Sequence, residues 1–142
     1  ATEEEYHDAV TVAQAESFVY ADKNGLKTEI AQSGDNVSGG QKQRLSIARA
    51  LVTKPPVYIF DDSFSALDFK TDAALRRALR GYTNAATVLI VAQRVSTIMN
   101  AQQIIVLESG KIVGKGTHAE LLKTCEEYRE IAESQLSKEE LQ

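Results

Sequence analysis

Residues Ser38 to Asp62 read SGGQKQRLSIARALVTKPPVYIFDD, and the change of pattern inside that run decides the fold. Its first part has helical spacing. Leu45, Ala48, Leu51 and Val52 recur on one face, Ser38 stands where an N-cap belongs, and Pro55 and Pro56 end the helix near Thr53. Val57-Tyr58-Ile59-Phe60 is then apolar at every position and runs into Asp61 and Asp62. Such a run, bounded by prolines, predicts a strand covered on both faces of a parallel sheet. A second buried strand is expected from Thr87 to Ala92. Between the two lies a helix over 70–80, with Ala74, Leu75, Ala78 and Leu79 inward and Gly81 as its stop. Ile104 to Leu107, a Ser109-Gly110 turn and Lys111 to Val113 predict a hairpin. Upstream, Thr2 with Glu5 makes a capping box for a helix over 2–20, and residues 21–37 are turn-rich. Thr117 and Glu120 cap a further helix, and residues 126–142 are acidic and helix-prone. Strands alternating with helices mean an α/β fold with a largely parallel sheet.

Composition narrows the function classes. The chain has 142 residues, 43% hydrophobic and 25% charged, enough to bury a core without disulfides or a structural metal. Sixteen Lys and Arg against twenty Asp and Glu give a net charge of −4, which argues against a dedicated nucleic-acid binder and a polybasic membrane clamp. The one cysteine, Cys125, excludes a disulfide framework and a multi-cysteine metal site. No apolar run approaches the roughly 20 residues of a spanning helix, and no basic-then-apolar leader opens the chain. These features predict a soluble chain of cytosolic character.

Four places carry candidate chemistry. Ser38-Gly39-Gly40-Gln41 opens a helix with two glycines, first-turn N–H groups without intrahelical partners and a favourable dipole, as a phosphate site requires. Lys42, Arg44 and Arg49 follow, with no acidic residue between Asp35 and Asp61. The plainer alternative is a serine N-cap after a glycine loop. Asp61 and Asp62 end a buried strand, where ligands of open α/β sheets gather and where a hard cation such as magnesium suits a carboxylate; the alternative is a pair of solvated acids at a turn. Ser65-Ala66-Leu67-Asp68, taken alone, reads first as a capping box before the next helix. Gln93 follows the second strand, again at a carboxyl end, or is a loop residue. His7 and His118 read as ordinary surface or first-turn histidines.

The order of these pieces is more specific than any one of them. Val37 to Leu51 (VSGGQKQRLSIARAL), Val57 to Asp62, Ser65 to Asp68 and Val91 to Ile98 (VAQRVSTI) together resemble the nucleotide-binding domain of ATP-binding cassette (ABC) transporters, most closely the exporter type. The resemblance implies that Ser38, Gly39, Gly40 and Gln41 are the signature motif, contacting the γ-phosphate of ATP held mainly by an opposite subunit. It implies that Asp61 is the Walker B aspartate acting on magnesium through water, and that Ser65, Ala66, Leu67 and Asp68 form the D-loop at a dimer interface. Thr28 to Gly34 (TEIAQSG) resembles the loop that senses the transmembrane domains. The implied layout is a helical signature subdomain over 1–54, a partial RecA-like P-loop NTPase core over 55–125 and an acidic C-terminal helix over 126–142.

Three departures accompany the match. No G-x-x-x-x-G-K-[ST] occurs, so the reading expects the carboxyl-terminal part of such a domain, inactive alone. Asp62 stands where the family's catalytic base is glutamate, and the shorter side chain draws the carboxylate back from an attacking water. Gln93 stands at the switch histidine, and an amide donates a hydrogen bond but carries neither proton nor charge. The combination resembles the degenerate half of a heterodimeric exporter, lending its signature to a competent site completed by a second nucleotide-binding domain. The implied ligands are ATP and Mg2+, and the implied setting is the cytoplasmic face of a membrane beside transmembrane domains, with no nucleic acid. The alternatives are an ABC ATPase of DNA repair or translation, and an interaction module without nucleotide function. In the family topology the Walker A strand separates the strand ending at Ala92 from the Ile104 hairpin. Without it, unpaired strand edges predict self-association, strand exchange or poor stability.

Overall fold

The computed structural model describes residues 1–137. They form two compact units, Ala1–Val91 and a second from Ala92 onward. No helix among the described residues is long and apolar enough to cross a membrane.

In the first unit, α1 (Glu3–Val12) begins at the expected Thr2–Glu5 capping box, in which each side chain accepts from the other's backbone N–H. The helix predicted over 2–20 is in fact two, α1 and the single turn α2 (Glu16–Val19). The break is a Schellman motif without glycine. Gln14 adopts a left-handed conformation (φ 57), Ala15 N donates to Val10 O (2.9 Å), and Gln14 N donates to Thr11 O (3.0 Å). Ala13 and Ala15 on either side are fully buried, so packing overrides the local preference for a longer helix. Two short 3₁₀ turns, Gly25–Lys27 and Gln32–Gly34, interrupt the predicted loop. The long helix α3 (Gly39–Val52) follows.

Strand β1 (Val57–Asp61) pairs in parallel with β2 (Thr87–Val91), Ile59 opposite Leu89 and Phe60 opposite Ile90. Helix α4 (Phe69–Tyr82) connects them and runs past Gly81, since one glycine in the last turn costs only about 1 kcal/mol. One apolar cluster gathers Ala9, Val10 and Ala13 of α1, Ile47, Ala48 and Leu51 of α3, Leu75 and Leu79 of α4, and Tyr58 and Phe60 of β1. Buried Asp72 in α4 is paired with Arg76 at 3.0 Å.

Two-sided burial of the strands is not observed. Tyr58 and Phe60 face the cluster, but on the opposite face Val57 is 50% exposed, Ile59 66%, Leu89 50% and Val91 52%. A strand apolar on both faces needs a layer on each, and the described residues of this unit supply one.

The second unit holds α5 (Val95–Ile98), the antiparallel hairpin β3 (Ile104–Glu108) and β4 (Lys111–Gly116), α6 (His118–Thr124) and α7 (Glu126–Gln135). The Ser109-Gly110 turn and the Thr117–Glu120 capping box are as expected. The hairpin bulges between Val106 and Leu107. Val95, Ile104, Val106, Leu121, Cys125, Tyr128 and Ala132 form its core. Gly114 is required by close approach: a Cβ there would lie 2.7 Å from Cys125 Sγ and 3.0 Å from Leu121 Cδ2. His118 Nδ1 hydrogen-bonds the Tyr128 hydroxyl at 2.8 Å. Of the helix expected over 126–142, α7 ends at Gln135, and residues 138–142 lie outside the described residues. The largely parallel sheet is thus one parallel pair and one antiparallel pair, each strand having one unpaired edge among the described residues.

Candidate functional site

Helix α3 starts on a capping box. Ser38 Oγ accepts from Gln41 N at 3.3 Å, and Gln41 Oε1 accepts from Ser38 N at 2.8 Å. This fixes both side chains at the helix mouth, leaving the serine hydroxyl proton and the Gln41 amide nitrogen for an acceptor. The first-turn N–H groups of Gly39 and Gly40 lack intrahelical partners by geometry. Behind them runs the turn after β1. A Cβ on Gly40 would lie 3.1 Å from Ala66 O, whereas one on Gly39 would lie 3.8 Å from Ala66 Cβ. A side chain at position 40 would therefore press on the turn, whereas one at position 39 would not.

Asp61 closes β1 opposite Val91. Asp62 turns the chain away from the sheet with a left-handed backbone (φ 48), its N–H still donating to Val91 O at 3.0 Å. Both carboxylates are exposed. No group of three or more metal-ligating side chains exists among the described residues. The Asp61 and Asp62 carboxylates are hard oxygen donors of the kind magnesium takes one or two of, its other ligands being waters and phosphate oxygens. Ser65 Oγ donates to Asp62 O at 3.0 Å. The N-cap of α4 is Asp68 alone, not a Ser65-to-Asp68 box. Its Oδ1 accepts from Thr71 N at 2.9 Å and its Oδ2 from Thr71 Oγ1 at 2.7 Å. The Thr71 N–H, helped by its hydroxyl, lowers the Asp68 carboxyl below the usual range.

The first unit thus brings together Ser38 to Gln41, Asp61, Asp62 and Ser65 to Asp68. Gln93 belongs to the second unit. It is exposed, and its carbonyl accepts from Gln135 Nε2 at 2.9 Å, while Gln135 Oε1 accepts from Val95 N at 2.9 Å. The C-terminal helix α7 therefore anchors the loop that carries Gln93.

Two of the cations after the glycines are tied to backbone carbonyls. Lys42 Nζ donates to Ser33 O at 2.8 Å, holding the TEIAQSG loop against α3. Arg44 donates to Gln14 O at 2.7 Å and Gly40 O at 3.3 Å, and its guanidinium stacks on Phe18 at 4.7 Å. One functional-looking residue escaped the sequence reading. Gln43 reaches the 62–66 turn with both ends of its amide. The signal for it was present: Gln43 lies four and three residues beyond Gly39 and Gly40, on the same helix face.

Known proteins resemble this chain in sequence and in fold. Residues 3–65 match the family pattern described as ABC transporter. The chain is 52% identical over 134 residues to an uncharacterized ABC transporter ATP-binding protein of Mycobacterium tuberculosis, covering 94% of this chain and 23% of that relative. It is 46% identical over 136 residues to the uncharacterized ABC transporter ATP-binding protein YfiB of Bacillus subtilis, with 96% and 23% covered. An ATP-dependent lipid A-core flippase of Francisella tularensis is 42% identical over 135 residues, with 95% and 22% covered. The structure of a bacterial Atm1-family ABC exporter with ATP bound superposes with a TM-score of 0.91 at 34% identity, over 97% of this chain and 24% of that one. The chain spans 23% of the length of the first of these relatives. With the motifs in order, the fold shared and the relatives concordant, the chain belongs to the ABC transporter family and forms part of its ATP-binding domain.

Proposed function

We propose that this chain is part of the ATP-binding domain of an ABC exporter, that its α3 start completes an ATP site on a second nucleotide-binding domain, and that its own Asp62–Gln93 side hydrolyses ATP slowly. The observation that carries the first half is the helix mouth. Ser38 and Gln41 are pre-fixed by their capping box, and two glycines leave the first-turn N–H groups open to a γ-phosphate. In that role the Ser38 hydroxyl and the Gln41 amide nitrogen donate to phosphate oxygens, and the helix dipole favours their charge.

The other half of the reading rests on side-chain chemistry. Asp61 would hold magnesium through water, and the ion, when bound, supplies charge neutralisation at the phosphates. Asp62 must take the proton of the attacking water as general base, one methylene further back than a glutamate. Gln93 can orient a phosphate by donating, but it stays neutral through the reaction. The proposed partners are a second nucleotide-binding domain and the transmembrane domains of the transporter, and the proposed location is the cytoplasmic membrane face.

The test uses the intact parent assembled with its partner. Gly39→Glu, which sets a carboxylate against the phosphate, should cut ATP hydrolysis by about 100-fold, the scale of losing one oxyanion donor. Asp62→Asn should leave most of the activity. Brisk hydrolysis by the parent purified alone, abolished by Asp62→Asn, would refute the slow-site reading. Calorimetry of magnesium-ATP with the 142-residue chain should show no binding, because the helix mouth needs nucleotide presented by the partner.

A further inference from the structure

Gln43 sits one turn into α3, half-buried, and spends its whole amide on the turn after β1. Its Nε2 donates to Asp62 O at 3.2 Å and to Ser65 Oγ at 3.0 Å, and its Oε1 accepts from Ala66 N at 3.0 Å. Ser65 Oγ in turn donates to Asp62 O at 3.0 Å. Asp62 is pinned from both sides, its N–H on Val91 O at 3.0 Å and its carbonyl on Gln43. Its Cα, and so the root of its carboxylate, is set jointly by the sheet and by α3. The same clamp holds Ala66 where a Cβ on Gly40 would lie a tight 3.1 Å from its carbonyl oxygen.

We propose that Gln43 is a positioning residue: its amide locks the Asp62–Ala66 turn to the helix that starts at Ser38, so that the phosphate-facing helix mouth and the Asp62 corner move as one piece. The proposal rests on the functional reading above and deepens it. In a composite arrangement the helix mouth serves one ATP and the Asp62 corner the other, so the clamp is a rigid link between two sites. A bidentate amide suits this role better than a charge. It satisfies one backbone donor and one backbone acceptor at once, as no lysine, glutamate or leucine does.

The experiment compares Gln43→Leu and Gln43→Glu in the full-length parent assembled with its partner, reading ATP hydrolysis and hydrogen exchange of the Ala66 amide. Leucine removes the Ala66 acceptor, so exchange there should rise by about tenfold or more, while the Leu51 amide inside α3 stays within about twofold of wild type. The kcat should fall about tenfold with KM for ATP within about twofold, the pattern of lost positioning and not of lost binding. Glutamate keeps an acceptor for Ala66 but no donor for Asp62 O; it should preserve slow exchange at Ala66 and hold kcat within about twofold of wild type, because the helix mouth stays clamped and the Asp62 corner carries little of the hydrolysis. A merely structural residue would raise exchange along α3 in both variants. Unchanged Ala66 exchange in Gln43→Leu overturns the proposal, as does raised exchange with unchanged kcat. A wild-type assembly without ATP hydrolysis refutes the functional reading instead, and the exchange measurement alone then decides whether the clamp exists.

Discussion

Gly39 and Gly40 are neighbours in sequence with different reasons to be glycine, and alanine at each position separates them. Both occupy the first turn of α3, where replacing glycine by alanine gains about 0.5–1 kcal/mol of backbone entropy. At Gly39 the new methyl would find Ala66 Cβ at an ordinary 3.8 Å, but at Gly40 it would lie 3.1 Å from the Ala66 carbonyl oxygen. That oxygen is backbone, in a turn held by Gln43, and cannot swing aside as a side-chain tip would. Overpacking of this kind costs about 1–3 kcal/mol, with the lower end expected because a few tenths of an ångström suffice. The two variants should therefore differ by about 1–2 kcal/mol, Gly39→Ala the more stable. With a urea slope of about 2 kcal/mol/M the midpoints separate by about 0.5–1 M. Urea unfolding of the purified chain by circular dichroism reads this directly. In a Gln43→Leu background the turn can yield, and the separation should shrink to under about 0.5 kcal/mol. If Gly40→Ala is stabilised as much as Gly39→Ala, the close packing of α3 on the turn does not constrain the helix mouth, and the reasoning fails.

Three other outcomes are expected. Gly114→Ala should destabilise the hairpin unit by about 2–3 kcal/mol, because its Cβ meets Cys125 Sγ at 2.7 Å; adding Cys125→Ala should recover part of that loss in a double-mutant cycle, and additivity would refute the contact. Asp68 is held below the usual carboxylate range by Thr71, so its contribution is present above the unfolded value of about 3.9 and is lost as pH falls through the lower folded value. The stability difference between wild type and Asp68→Asn should accordingly be flat near neutrality and close on acidification; a gap that widens in acid would contradict the assignment. Finally, the bare face of Val57, Ile59, Leu89 and Val91 should make the chain self-associate in a concentration series by light scattering, and Ile59→Lys should suppress it; a wild-type monomer throughout would refute this.

The boundaries that follow from local chemistry were readable. The serine and threonine caps at Ser38, Thr2 and Thr117, the proline stop and the Ser109-Gly110 turn all lie where short-range rules put them. The features that depend on distant partners were not. Nothing local marks Gln14 as a helix terminator, since the break is imposed by burying Ala13 and Ala15. The run Val57 to Phe60 announces a strand but cannot say whether one face or two will be covered. Lys42 and Arg44 looked like an extension of an anion site because charge is visible in a sequence, whereas the carbonyls of Ser33 and Gln14 that they serve are not. The place of Gln43 on the helix face of Gly39 and Gly40 was legible, but its partners were hidden for the same reason: they are the backbone groups of Asp62 and Ala66 and the hydroxyl of Ser65, some twenty residues away.

The left-handed backbone at Asp62 (φ 48) bears on how such a site changes over evolutionary time. Aspartate is several-fold enriched in that conformation, where its short side chain bonds locally, while longer side chains gain no such relief. Exchange of a glutamate for aspartate at this corner would thus run downhill in conformational energy even as it withdraws the carboxylate. The reverse step would have to regain reach and bear the strain together.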